Sequence, residues 1–191
     1  MALLQVIIGS TRPTRIGPAI AEWFAEEART EGSFEIEVLD LQAVGLPFLD
    51  ELQHPSLGQY AHEHTRAWSA TITRGDAFVF VVPEYNHGYN AATKNAIDFL
   101  YHEWRDKPVG FLSYGGVSAG TRAVQGLRLV LSAVHAVPVP AAVSVPAVNT
   151  CFNPSGAFAP PVGLSHAAGL MLSELDRKQT ALAVLRSSQS A

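Results

Sequence analysis

Asp76-Ala77-Phe78-Val79-Phe80-Val81-Val82 is apolar from its second residue to its last. It runs straight into Pro83-Glu84-Tyr85-Asn86-His87-Gly88-Tyr89-Asn90 and then Ala91-Ala92-Thr93-Lys94-Asn95-Ala96-Ile97-Asp98-Phe99-Leu100. A continuous apolar run of this length, entered through Gly75, reads as a strand buried on both faces. The third segment has helical spacing. Buried strand, polar aromatic loop and helix is how an open α/β sheet builds a ligand site at its carboxyl edge. The loop holds two Tyr, two Asn, one Glu and one His in eight residues. Those side chains suit a flat, polar-edged ring better than they suit packing.

Outward from this unit the same pattern recurs. A strand over residues 2–8 ends at Gly9 and is followed by Ser10-Thr11-Arg12-Pro13-Thr14-Arg15-Ile16-Gly17 and a helix with Ile20, Trp23, Phe24 and Ala28 on one side. A strand beginning at Pro108 ends in Tyr114-Gly115-Gly116-Val117-Ser118-Ala119-Gly120-Thr121, before a helix carrying Val124, Leu127, Val130 and Leu131. Between these lie a strand over 34–41, an irregular connection over 40–55 and a helix over 59–74 with Tyr60, Ala67, Trp68 and Ile72 as its stripe. The helix after the opening loop runs through 94–101 and ends in Tyr101-His102-Glu103-Trp104. A Pro-rich edge strand over 138–148, a connection over 149–163 and a helix over 167–185 complete the chain. The order βαβαβαβαβα predicts a parallel sheet with right-handed crossovers and helices on both faces. The expectation is an α/β, flavodoxin-like three-layer αβα sandwich with a five-stranded parallel sheet in the order 2-1-3-4-5, forming one domain over 1–191. In that order the loops after strands one, three and four meet at one edge.

The bulk composition narrows the function. The chain has 191 residues, 48% hydrophobic and 16% charged, which argues for a folded domain with a sizeable core. A net charge of -4 gives no support to nucleic-acid binding. The single cysteine, Cys151, excludes an internal disulfide framework and a multi-thiolate metal site. No signal peptide or membrane span is expected, so the expected location is cytoplasmic. The low charge also suggests that some surface is covered by another subunit.

The three converging loops differ in chemistry. The first offers a helix N-terminus, hydroxyls on Ser10, Thr11 and Thr14, and the guanidinium groups of Arg12 and Arg15, all suited to a phosphate. It is neither a P-loop nor a Gly-x-Gly-x-x-Gly fingerprint. The second offers aromatic faces and amide edges, and the third the unobstructed backbone of Gly115-Gly116. A phosphate at one end and a planar heterocycle at the other describe a mononucleotide.

Gly9-Ser10-Thr11-Arg12 with Gly17, Pro83-Glu84-Tyr85-Asn86, Lys94-Asn95-Ala96-Ile97-Asp98 and Ser113-Tyr114-Gly115-Gly116 together resemble the NADPH-dependent FMN reductase family of quinone, azo-dye and chromate reductases. The resemblance spans nearly the whole chain. It implies FMN as cofactor, NADPH or NADH as co-substrate, and a ping-pong transfer of hydride through the flavin to FMN, a quinone or a similar small-molecule acceptor. It implies phosphate contacts from Ser10, Arg12, Arg15, Ile16 and Gly17, ribityl and ring contacts from Pro83, Glu84, Tyr85 and Asn86, and ring-edge contacts from Tyr114, Gly115 and Gly116. It further implies a homodimer or homotetramer and no side-chain acid catalyst. Two departures stand out: His87-Gly88-Tyr89-Asn90 replaces a Ser-x-Pro-Gly-like turn, and Ile16 stands where relatives often carry a small hydroxyl residue. The alternative is a flavodoxin-like electron carrier that does not oxidise pyridine nucleotides. The two arginines of the first loop and the mild net charge favour the enzyme. A receiver module lacks its acidic residues here.

Other conspicuous residues read as packing or surface. Glu84 reads as a loop anchor, Lys94 as the partner of a carboxylate or of a second subunit, and His87 as a residue at the mouth. His62 and His64, two apart, are not expected to share a helical face.

Overall fold

The computed structural model describes residues 1–188, so the last three residues of the expected domain lie outside the described residues. Its sheet is built from β1 (Ala2–Ile8), β2 (Phe34–Asp40), β3 (Ala77–Pro83), β4 (Pro108–Tyr114), β5 (Val137–Pro138) and β6 (Val143–Val145). All pairings are parallel, in the order β2-β1-β3-β4-β5 as expected, with β6 pairing the far end of β4. The helices are α1 (Gly17–Glu31), α2 (Leu41–Val44), α3 (Glu63–Arg74), α4 (Ala91–Asp98), α5 (Thr121–Ala133) and α6 (Leu164–Ser188).

The period-two geometry of a strand divides the core into two layers. Ala77, Val79 and Val81 of β3 join Leu4, Val6 and Ile8 of β1 beneath α1 and α6. Phe78, Phe80 and Val82 join Ile7 and Phe111 beneath α3, α4 and α5. All seven residues of β3 are buried, which explains its unbroken apolar run. Each large side chain here stabilises the fold by about 1.5–3 kcal/mol. Gly110 lets α6 lie close to β4, since a Cβ there would stand 2.7 Å from Met171 Sδ.

Several boundaries differ from the expectation. The helix expected over 59–74 begins at Glu63, because His62 is in extended conformation and the helical run starts only after it. Tyr60 therefore precedes the helix, Ala67 is exposed, and the buried stripe is Thr65, Trp68 and Ile72. His62 caps the helix in extended conformation, so its ring swings back onto His64. The two imidazoles stack at 5.2 Å with planes 8° apart, where no shared face was expected. The helix expected from Ala91 through Lys94 to Tyr101 is α4, which starts at Ala91 and ends earlier, at Asp98. The connection over 40–55 contains the one-turn α2. The strand expected over 138–148 is interrupted: Pro138 and Pro140 lack ladder donors, and two short strands, β5 and β6, flank the break.

Candidate functional site

The carboxyl ends of β1, β3 and β4 bring the three predicted loops together around a cavity of about 640 Å³. Ser10, Arg12, Arg15, Ile16, Pro83, Glu84, Tyr85, Tyr114, Gly115 and Gly116 all line it, with Thr14. Gly17 and Asn86, also anticipated from sequence, are not among the lining residues. A fourth segment lines the cavity too: Ala147, Val148, Asn149 and Thr150, just after β6. Sequence reading placed it in a strand and a connection. Its signal was topological, because the end of the last strand must lie beside the end of β4.

The first loop is held from three sides. The Gly9 amide donates to Val81 O at 2.9 Å. Asn90, buried at the start of α4, donates from Nδ2 to Gly9 O at 2.6 Å, and Thr93 Oγ1 donates to Asn90 Oδ1 at 2.9 Å. A Cβ on Gly9 would lie 2.3 Å from Thr93 Oγ1, so only glycine permits this contact. Arg15 forms a two-pronged ion pair with Asp40 at the end of β2 and donates to Ser10 O at 3.0 Å. Its charge is thus largely answered within the loop. Asp40 is held below the usual carboxylate range, chiefly by the Arg15 bond. Arg12 is exposed and has no carboxylate partner among the described residues.

The same loop feeds an open helix end. Ile16 caps α1 without a side-chain bond, no acidic residue occupies the first turn, and Pro18 carries no N–H. The amides of Gly17 and Ala19 are left without helical acceptors. The dipole of this 15-residue helix therefore favours an anion. Tyr114 Oη lies 2.9 Å from where a Cβ on Gly17 would sit. That hydroxyl is buried and has no hydrogen-bond partner among the described residues. Ser10 Oγ, bonded to Tyr85 Oη at 2.8 Å, also stands near enough to the Tyr114 hydroxyl to favour its ionised form, without completing a hydrogen bond of good geometry to it. Burial, reinforced by Tyr85, pushes the Tyr114 hydroxyl's pKa up, so it stays protonated.

In the loop after β3, Tyr85 and Gly88 exchange both backbone bonds at 2.9 Å, with Asn86 and His87 between them at φ 50° and 67°. Two consecutive positive φ values are the signature of a tight hairpin turn, and asparagine and histidine tolerate them better than most residues. Asn86 is thus the exposed tip of a turn, which explains its absence from the cavity wall. Tyr89 packs on Gly126 of α5, where a Cβ would meet its ring at 2.8 Å.

Glu84 links this loop to the one after β4. Its carboxylate accepts from Ser118 Oγ at 2.8 Å, from the Arg122 amide at 3.1 Å and from Arg122 Nη1 at 2.8 Å. Burial alone would raise its pKa. The bonds from Arg122 and Ser118 outweigh that and hold it low. The anchoring role inferred from sequence agrees with these contacts. In the loop after β4, the Gly115 amide donates to Val145 O at 3.3 Å, and Ala147 and Val148 donate to Gly116 O and Gly115 O at 2.9 and 3.0 Å. Of the two glycine amides expected to face a ring edge, that of Gly115 is therefore already engaged. Lys94 pairs with Asp98 one turn along α4, away from the cavity lining.

Residues 3–150 match the model of the NADPH-dependent FMN reductase family. A Schizosaccharomyces pombe protein named as an NAD(P)H-dependent FMN reductase is 47% identical over 124 residues, covering 64% of this chain and 62% of that protein. The chain thus spans 62% of the length of that relative. A Saccharomyces cerevisiae protein of the same description is 42% identical over 137 residues, covering 66% of this chain and 71% of its own. Among solved structures, the flavoenzyme NAD(P)H:(acceptor) oxidoreductase of Paracoccus denitrificans superposes with a TM-score of 0.71 at 22% identity, over 94% of this chain and 98% of the other. The chain belongs to the NADPH-dependent FMN reductase family.

Proposed function

We propose that residues 1–191 form one FMN-binding domain that oxidises NAD(P)H and reduces a small-molecule acceptor such as FMN or a quinone. The observation that carries this reading is the joining, in one cavity, of an uncapped helix end with an unpaired arginine and a wall of tyrosine and loop backbone. The residues fit the cofactor's two ends. A dianionic phosphate suits the end with Arg12, the free amides of α1 and the unpartnered Tyr114 hydroxyl. A planar ring suits Tyr85, Pro83 and the open backbone at Gly116, where a Cβ would meet nothing within 4 Å. About 640 Å³ lies within the range of sites for ligands of this size.

When bound, the flavin supplies the two-electron chemistry between NAD(P)H and the acceptor. The chain's own residues orient it. Asn90 and Arg15 hold the phosphate loop, Glu84 ties the ring-side loop to α5, and the hairpin at Asn86-His87 shapes the mouth. No side chain in the cavity is assigned as an acid catalyst.

The protein works as a homodimer or homotetramer in this reading, and in the cytoplasm. Phe48 and Leu52 are 86% and 88% exposed on the connection between α2 and α3, and Phe48 lines a second, apolar-walled cavity of about 480 Å³. They favour subunit contact. No helix among the described residues is long and apolar enough to cross a membrane, and the one thiol is free. The test of the function is anaerobic stopped-flow absorbance of the FMN-loaded protein mixed with NADPH or NADH. Bleaching of the flavin band, followed by its return on adding a quinone, is expected. A band that neither nucleotide bleaches would leave the electron-carrier reading in its place.

A further inference from the structure

We propose that Tyr114 reads the phosphate of the bound flavin nucleotide through its hydroxyl, and so selects FMN over riboflavin. The inference rests on the reading of the cavity as a flavin-nucleotide site. It moves Tyr114 from the ring edge, where the family resemblance placed it, to the opposite end of the ligand.

Two independent observations meet at Gly17. The first is the N-terminus of α1, which has neither a capping side chain nor an acidic residue in its first turn. The second is the Tyr114 hydroxyl, which is 2.9 Å from the Cβ position of Gly17. Tyr114 is 5% exposed, and its hydroxyl lacks a partner among the described residues. A buried hydroxyl left unpaired is costly, and such groups in native proteins are as a rule answered by protein, by ordered water or by a bound ion. Of the two neighbours able to answer it locally, Ser10 Oγ is bonded to Tyr85 and stands near the hydroxyl without completing a hydrogen bond of good geometry to it, and Arg15 is bonded to Asp40. Arg12, without a carboxylate partner among the described residues, makes the surroundings positive, so the partner that fits is an anion. The hydroxyl stays protonated and can only donate toward it. The absence of a side chain on Gly17 lets the hydroxyl stand this close to the first free amide of α1. Ile16 has no hydroxyl to offer there, and the tyrosine supplies one from across the sheet edge.

The test uses the apoprotein and two probes that differ only by the phosphate, FMN and riboflavin, titrated by flavin fluorescence quenching into wild type and Tyr114→Phe. FMN affinity is expected to fall about ten-fold in the variant, with riboflavin affinity unchanged within two-fold. The apoprotein melting temperature should hold or rise, because the variant removes an unpaired buried group. Equal losses for both flavins would return Tyr114 to the ring and overturn the proposal while leaving the cofactor reading intact. No change for either flavin would also overturn it, with an ordered water as the hydroxyl's partner. If wild type binds neither flavin, the cofactor reading falls and this proposal with it.

Discussion

Glu84→Gln keeps the shape of the side chain and removes its charge. The wild-type carboxylate accepts three hydrogen bonds, from Ser118 and twice from Arg122, with Glu84 7% exposed and Arg122 52% exposed. Glutamine has one acceptor oxygen, and its amide nitrogen must face a donor. Hydrogen bonds to a charged group contribute about 1.5–3 kcal/mol. The negative charge at the N-terminus of α5 adds about 0.3–1 kcal/mol. The half-exposed guanidinium is screened by water and adds less than about 1 kcal/mol. Glutamine keeps part of this bonding, so the net loss is set at about 2 kcal/mol. For a chain of this length that lowers the melting temperature by roughly 4–8 °C. The pH dependence gives a second check. The folded pKa of Glu84 lies below its unfolded value. Its stabilisation is therefore complete above about pH 4.3 and is lost as pH falls through the folded value. Calorimetry of both apoproteins should show a steady gap from pH 7 to 5 that closes in more acidic buffer. Because Glu84 also holds the loop of Gly115 and Gly116, FMN affinity should drop several-fold. Melting temperatures within one degree at pH 7, or a gap that stays constant down to pH 3, would refute the reasoning.

Asn90→Ala removes two buried hydrogen bonds and leaves Gly9 O without that donor. The expected cost is about 2–4 kcal/mol in urea unfolding, together with weaker FMN binding. Arg12→Ala should weaken FMN binding roughly ten- to a hundred-fold by titration and leave riboflavin alone, since a charged phosphate contact contributes about 1.5–3 kcal/mol. Its effect should shrink as salt rises. Lys107 is buried, with Nζ donating to Ile72 O and Thr73 O at 3.0 Å. Burial, and then Arg186, bring its pKa down to about 8. Between that value and about 10.4 the folded state holds fewer protons than the unfolded one, so stability rises with pH across this window. Wild type should gain on the order of 2–3 kcal/mol over Lys107→Met between pH 8 and pH 10 in denaturant melts. A constant difference would contradict the burial argument.

The parts of this molecule that were legible in its sequence are those written in local pattern. β3 is apolar at every position because helices cover both its faces, and that run alone marks a central parallel strand. The chain order then fixes which loops can meet, so ten of the twelve anticipated site residues line one cavity. The remaining two, Gly17 and Asn86, act through the backbone: one makes room for Tyr114, the other turns a hairpin at positive φ. What sequence did not disclose were pairings between distant residues. Arg15 and Asp40 lie 25 positions apart and Asn90 and Gly9 81 apart. No spacing rule selects Asp40 over other carboxylates as the partner of a loop arginine. The segment after β6 was hidden for a different reason. Prolines break its strand into pieces too short to show alternation, and only the sheet order carries it to the site. These long-range anchors decide how rigidly the loops are held. The loop of Gly115 and Gly116 is fastened by Glu84 on one side and by the segment after β6 on the other, while the hairpin at Asn86 and His87 is closed by its own two backbone bonds. The side of the cavity formed by Gly115 and Gly116 is thus cross-braced, and side chains on the hairpin beside it can change without disturbing those braces.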